Sequence, residues 1–113
     1  MLNDFKLFED TYNFILWLWP VISKFPKSEK FVLGEKLKQT TIFFLENIIA
    51  FNNTDSDKKR YLFQASIELE KLRVFVRLSK DLKILDFKKY ESSSKQLDEM
   101  GKLLGGLISK QKQ

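Results

Sequence analysis

The segment from Glu68 to Leu85 interleaves basic and apolar residues at helical spacing, and its basic residues are the first candidates for a binding site. Arg73, Arg77 and Lys80 are spaced four and three residues apart, so in a helix they fall on one face. Lys83 continues the series toward the end of the stretch. Cations arranged in this way can contact the phosphates of a nucleic acid and release its counterions. Such a face could bind nucleic acid by charge and shape, and no base-reading motif accompanies it.

The same stretch has an apolar face. Leu69, Leu72, Val76 and Ser79 repeat at intervals of three and four residues, which is the spacing of a helix with one buried side. The stretch is thus predicted to be a helix that packs against the rest of the protein on one face and presents cations on another.

The positive charge of the chain is local. Between residues 57 and 89, ten Lys and Arg residues stand against five Asp and Glu residues, and the excess equals the net charge of +5 of the whole chain. Three further candidate binding cations open this segment: Lys58, Lys59 and Arg60. A local excess of charge points to an acidic partner. The alternative is a solvated face, in which Glu70 and Asp81 pair with the neighbouring arginines.

Histidine and cysteine are absent from the 113 residues, which removes most catalytic chemistry. Neither a Ser-His-Asp triad, a Cys-His pair, a histidine-based ribonuclease centre nor an ordinary zinc site can be assembled. The carboxylates are scattered, without a facing pair of the glycosidase type. We therefore expect a protein that is not an enzyme and has no metal, cofactor or small-molecule substrate. The lack of a signal sequence and of an uncharged run of about 20 residues favours a cytoplasmic protein.

The elements that must position these residues are predicted to be four helices in a single domain, residues 1–113. Their expected bounds are about 4–24, 27–52, 56–83 and 87–110, with Asn3 or Asp4 capping the first helix and Asp86 the last. Connections of about 3 to 6 residues leave room only for neighbours that fold back on one another. The fold class is therefore predicted to be all-α, an up-down-up-down four-helix bundle.

The apolar faces are broader than a solitary bundle requires. The first helix has a stripe made of Phe5, Phe8, Tyr12, Ile15, Leu16 and Trp19. The second helix is almost free of polar residues from Thr40 to Phe51, and the third has Val74 and Phe75 outside its buried stripe. Such faces predict a homo-oligomer, and cyclic symmetry is the usual form. Gly101 and Gly105, four residues apart, could admit a second backbone or could be weak positions near a helix end.

Three runs together resemble the accessory variability determinant (Avd) proteins of diversity-generating retroelements. They are LWLWPVISKFPKSEKFVLGEKL (Leu16 to Leu37), IELEKLRVFVRLSKDLKIL (Ile67 to Leu85) and YESSSKQLDEMGKLLGGLISK (Tyr90 to Lys110). The most specific parts are the Trp-Leu-Trp-Pro segment leading into Phe-Pro-Lys-Ser, the Leu-Glu-Lys-Leu-Arg core of the third helix, and Leu-Leu-Gly-Gly near the C-terminus. The resemblance covers nearly the whole chain.

This resemblance implies a four-helix bundle in a five-fold ring, with a basic surface that binds nucleic acid and the reverse transcriptase of the retroelement. In that system a template RNA is copied with errors at adenines, and the accessory protein is needed without being the polymerase. Arg73 and Arg77 match basic positions of the family on the third helix, and Lys80 and Lys83 extend the line. The Lys58 to Arg60 cations lie where the family varies.

A related group is the four-helix proteins encoded in intervening sequences of bacterial ribosomal RNA genes. This group shares the fold and the Phe-Pro-Lys start of the second helix but matches the third and fourth helices less well. It implies the alternative function of an oligomeric scaffold without a nucleic-acid role, whose basic helix would dock an acidic protein surface.

Overall fold

Four helices make up the part of the chain that the structure describes. It is a computed structural model that describes the backbone of residues 2–111 and the side chains of residues 5–111. The first helix already includes the backbone of Asn3 and Asp4, so it begins before the expected start at about residue 4, and the side chains of these two expected caps lie outside those described. The polar residues after 111 also lie outside the described residues. The first, third and fourth helices are Leu2–Ser23, Lys58–Asp81 and Phe87–Gln111, and the second runs without a break through the segments Lys27–Glu29, Lys30–Gly34 and Glu35–Asn52. No strand occurs in residues 2–111.

Each helix of the bundle packs against two others. The first helix contacts the second and the fourth, and the third helix also contacts the second and the fourth, so the first and third helices lie at opposite corners. The core between them is built from large side chains with almost no exposure, such as Phe14, Phe44, Leu72, Leu97 and Met100. The molecule measures 45 × 22 × 20 Å, so its two ends are well separated surfaces.

The stripe predicted on the third helix is confirmed as its core face. Leu69, Leu72, Val76 and Ser79 are all buried, because their spacing places them on the side facing the bundle. The Ser79 hydroxyl donates a hydrogen bond to the Phe75 carbonyl oxygen at 2.8 Å, so the one polar member of the stripe is satisfied.

The first helix separates its apolar residues onto two opposite faces. Its core face contains Leu7, Phe14 and Leu18, which are buried. The stripe noted in the sequence is divided: Phe5, Tyr12 and Leu16 face away from the core and are 61%, 52% and 59% exposed, whereas Phe8 and Trp19 are partly buried against the core. An apolar face with this exposure remains available for a partner.

The first connection is determined by proline and glycine. The first helix continues through Pro20 and ends at Ser23, and Pro26 then opens the second helix, with its carbonyl oxygen accepting hydrogen bonds from two following N–H groups. A π-helical turn, Lys30–Gly34, places buried Gly34 against the first helix. A Cβ at Gly34 would lie 2.9 Å from Ile22 Cγ2, so this crossing depends on the missing side chain.

We expect Gly34→Ala to lower the free energy of unfolding by about 1 to 2 kcal/mol. Overpacking this buried contact destabilises the fold by more than the higher helix propensity of alanine stabilises it. Gly105→Ala is the matched control, since no atom lies within 4 Å of its Cβ position. That variant is expected to raise the free energy of unfolding by up to about 1 kcal/mol. Chemical denaturation of both proteins measures the difference, and equal effects would contradict the tight crossing at Gly34.

The third helix is shorter at both ends than the predicted range 56–83, and left-handed residues explain the difference. Asp57 has φ 59° and Lys83 has φ 62°, conformations that no residue inside an α-helix adopts. At the C-terminal end, Lys83 N–H bonds the Lys80 carbonyl oxygen and Ile84 N–H bonds that of Ser79. This is the Schellman pattern, in which a left-handed residue stops the helix. The predicted cap of the fourth helix is confirmed, as Asp86 Oδ1 accepts the Lys89 N–H at 2.8 Å.

Candidate nucleic-acid interface

We call Arg73, Arg77 and Lys80 the basic line. It runs along the third helix beside the groove that separates this helix from the fourth. Its members differ in exposure: the Arg77 side chain is 73% exposed, Arg73 36% and Lys80 30%. The line therefore has one largely exposed cation and two that are partly buried.

Arg73 is held against the fourth helix. Its Nη1 lies 2.7 Å from Asp98 Oδ1, and its Nη2 lies 3.4 Å from the Leu97 carbonyl oxygen. The partner that the sequence suggested, Glu70, makes no ion pair with it among residues 5–111. Gly101 makes this arrangement possible, because a Cβ there would lie 2.6 Å from Arg73 Nη2. Gly101 thus admits a guanidinium rather than a second backbone.

Arg77 and Lys80 share one carboxylate, and Lys80 also contacts an aromatic ring. Arg77 Nε lies 3.8 Å from Asp81 Oδ2, and Lys80 Nζ lies 3.4 Å from Asp81 Oδ1. Lys80 Nζ also lies 4.5 Å from the centre of the Tyr90 ring, a cation–π contact between the third and fourth helices. Exposed ion pairs of this kind are weak, so both cations can exchange a carboxylate for a phosphate.

The three cations at the start of the third helix lie at the other end of the bundle from Lys80. From Lys58 to Lys80 the helix rises about 33 Å, so the candidate residues do not form one patch. Lys58 Nζ donates a hydrogen bond to the Phe51 carbonyl oxygen at 2.8 Å, and Arg60 Nη2 lies 3.4 Å from Asp57 Oδ2. Lys58 and Arg60 thus have local structural contacts.

Lys83 lies in a cleft at the end of the bundle where two connections meet. The cleft has a volume of about 490 Å³ and lies between the end of the first helix and the turn between the third and fourth helices. Four lysines line this end cleft, namely Lys24, Lys80, Lys83 and Lys89, together with one carboxylate, Asp86. Sequence reasoning missed Lys24 and Lys89 as members of the candidate site. Lys24 lies after the first helix and Lys89 lies just after the turn between the third and fourth helices. Because these two connections meet at one end of the bundle, their position in the sequence was the signal that could have placed both lysines in the site.

Among the described side chains of residues 5–111, no group of three or more Asp and Glu is placed to hold a metal ion. The pKa of Lys6 is raised above its ordinary value, chiefly because its ammonium donates a hydrogen bond to Asp10 on the same helix. Among the helices described, none combines the length and the apolar character needed to cross a bilayer. What the surface offers chemically is positive charge beside aromatic rings.

A family model described as bAvd-like matches residues 6–111 of the chain. No curated protein matches it.

Proposed function

The chain belongs to the bAvd-like family, and from this premise we propose that it is a non-catalytic accessory protein of a diversity-generating retroelement. In this role it binds nucleic acid, as RNA or an RNA–DNA hybrid, together with the reverse transcriptase, and supports the mutagenic copying of the template RNA. The role places it in the cytoplasm. The family match confirms the resemblance drawn from the three sequence runs.

The main support for this proposal is that the bundle presents the basic line on its surface. Arg73, Arg77 and Lys80 lie on one side of the third helix, and the carboxylates beside them belong to exposed pairs. Such cations bind phosphates without reading bases, which suits an accessory protein that must hold a template of any sequence.

The reverse transcriptase is the proposed protein partner. Co-purification of the tagged polymerase with this protein tests the pairing, and addition of template RNA tests whether the three components form one complex. Binding of the polymerase without RNA and of RNA without the polymerase would show two separate contacts. Failure of the polymerase to co-purify under both conditions would contradict the accessory role.

We also propose a cyclic homo-oligomer of alternating up and down helices, and family resemblance implies a pentamer. Two exposed apolar patches support a ring. The first-helix patch is Phe5, Tyr12 and Leu16, and the third-helix patch is Phe63, Ile67, Val74 and Leu78, each residue at least 41% exposed. These helices lie at opposite corners of the bundle. Two different patches on opposite sides suit head-to-tail contacts, which close into rings.

A salt titration is expected to show strong dependence of RNA affinity on ionic strength. If the three cations of the basic line each neutralise one phosphate, the logarithm of the association constant falls with the logarithm of salt concentration with a slope of about −2 to −3 per engaged subunit. Fluorescence anisotropy with a labelled structured RNA measures the slope between 50 and 300 mM salt, roughly the range over which phosphate contacts are lost. A slope near zero would contradict phosphate contacts.

The second candidate is an oligomeric scaffold of the ribosomal RNA intervening-sequence type, with no nucleic-acid function. Arg73 favours it in one respect, because its guanidinium already bridges two helices through Asp98 and serves the bundle itself. Under this alternative the basic line docks an acidic protein surface. The same titration separates the two functions, since the scaffold requires no RNA binding at any salt concentration.

A further inference from the structure

The end cleft has features that the basic line lacks. Its walls combine lysines with apolar side chains, among them buried Phe25 and Leu85 and the exposed ring of Phe87. Its single carboxylate, Asp86, already accepts a backbone N–H of the fourth helix. Among the ion pairs formed by residues 5–111, none includes Lys24, Lys83 or Lys89. These three ammonium groups are therefore available to an anionic ligand.

Lys83 occupies a position where glycine is the usual residue. It is the left-handed residue of the Schellman pattern, with φ 62°, and a side chain in this conformation costs stability that glycine would not. Strain of this kind is commonly kept where the side chain has a function. The strained backbone places the Lys83 side chain in the wall of the end cleft.

Phe87 supplies an aromatic surface next to these lysines. Its ring is 65% exposed, and its centre lies 6.4 Å from that of Tyr90, over which Lys80 is placed. An exposed aromatic ring among lysines is the arrangement that binds single-stranded nucleic acid, with a base stacked on the ring and phosphates on the cations. A paired base within a duplex cannot reach such a ring. The cleft volume of about 490 Å³ is in the range of small-molecule sites, enough for one unstacked nucleotide.

We propose that the end cleft binds single-stranded nucleic acid, with a base stacked on Phe87 and the adjoining phosphates held by Lys24, Lys83 and Lys89. This inference rests on the proposed nucleic-acid function and adds a second site with a different ligand preference. The basic line binds the charged phosphate backbone of a nucleic acid, whereas the end cleft selects strands whose bases are unpaired. It is thus suited to the unpaired segment next to a structured template.

Phe87→Ala is expected to weaken binding of an unstructured 12-nucleotide RNA by about tenfold, because one base–aromatic stack is lost. Binding of a 12-base-pair RNA duplex is expected to change by less than about twofold, since a paired base does not stack on the ring. The measurement is fluorescence anisotropy of the labelled oligonucleotides at constant salt, with ssDNA of the same sequence as a further arm. Phe43→Ala is the matched control, an exposed phenylalanine midway along the second helix.

Lys83→Gly separates a binding role from a structural one. Relief of the left-handed strain is expected to raise the melting temperature by about 2 to 4 °C, while loss of the cation weakens single-strand binding about threefold. A purely structural residue would not give these opposite signs. Light scattering on each variant checks that the subunit number is unchanged.

Several outcomes would overturn the end cleft as a single-strand site. They are equal effects of Phe87→Ala and Phe43→Ala, an equal loss of duplex binding in Phe87→Ala, and binding of an oligoglutamate peptide as tight as that of RNA. If the wild-type protein binds duplex or structured RNA while Phe87→Ala changes nothing, the proposed function stands and the end cleft fails. If the wild-type protein binds none of the nucleic acids, the proposed function itself fails.

Discussion

Replacing both Arg73 and Arg77 by alanine is expected to lower the affinity for structured RNA about 30-fold while the bundle stays folded. Each solvent-exposed contact between an arginine and a phosphate contributes about 1 kcal/mol, and two such losses correspond to that factor. The Arg73–Asp98 pair is also lost, but the side chains are 36% and 62% exposed, so its loss changes stability by less than about 1 kcal/mol. Anisotropy and thermal unfolding measure the two effects.

The contacts of Arg73 make this prediction sharper. Arg73 must leave Asp98 before it can bind a phosphate, whereas Arg77 lies 3.8 Å from its nearest carboxylate and is more exposed. Arg77→Ala is therefore expected to cost more affinity than Arg73→Ala. Asp98→Asn is expected to strengthen RNA binding about twofold to fivefold, because it frees Arg73 and removes a negative charge.

The control for this prediction removes the same amount of positive charge, two cations, from another part of the surface. Lys36→Ala with Lys95→Ala deletes two exposed lysines from the second and fourth helices, outside the basic line. If this control weakens RNA binding as much as the double arginine variant does, the effect belongs to net charge rather than to the basic line. A parallel loss of folding and binding in the arginine variant would make these residues structural.

Leu16→Glu is expected to convert the proposed oligomer into monomers that remain folded. Leu16 is 59% exposed in the single chain, so the substitution leaves the bundle core intact. In a ring, however, it would bury an unpaired carboxylate at every contact and remove about 2 kcal/mol of apolar burial from each. Sedimentation velocity gives the mass, and circular dichroism checks the helices. Gln39→Glu, which adds a charge at an exposed polar position, is the control.

Mixing two variants tests whether the contact is head-to-tail. Leu16→Glu leaves the third-helix patch intact, and Val74→Glu leaves the first-helix patch intact. If the first-helix patch of one subunit binds the third-helix patch of the next, each variant alone is a monomer and the mixture forms a dimer with one repaired contact. Dimers in either variant alone would indicate a self-complementary contact instead. A wild-type protein that sediments as a monomer at micromolar concentration would contradict the oligomer.

Most of the helical architecture could be read from the sequence because the signals are local. The third-helix stripe, the cap at Asp86 and the break at Pro26 each follow from the properties of a few adjacent residues. The predicted bounds of the third helix were less accurate, since the left-handed conformations of Asp57 and Lys83 could not be predicted from the sequence. The π-turn at Lys30–Gly34 also had no local signal, and the close approach of its Gly34 to Ile22 of the first helix is a tertiary contact.

In the candidate site, too, some features could be predicted from the sequence and others could not. Spacing alone was sufficient to place Arg73, Arg77 and Lys80 on one side of a helix. The partner of Arg73 could not be found this way, because Asp98 lies 25 residues further along the chain, on another helix, and Gly101 provides the space. Pairing within one helix is visible in a sequence, whereas pairing across helices depends on their relative rotation and height.

The helices, the concentration of positive charge on the third helix and the excess of apolar faces could be read from the sequence, since each is a property of residues close together in the chain. The apolar stripe of the first helix that faces the core could be identified only from the packed bundle, because both stripes have helical periodicity. The packed bundle also brings Lys24 and Lys89 together with Lys83 around one cleft. Residues far apart in sequence become neighbours only when packing brings two connections to the same end of the bundle.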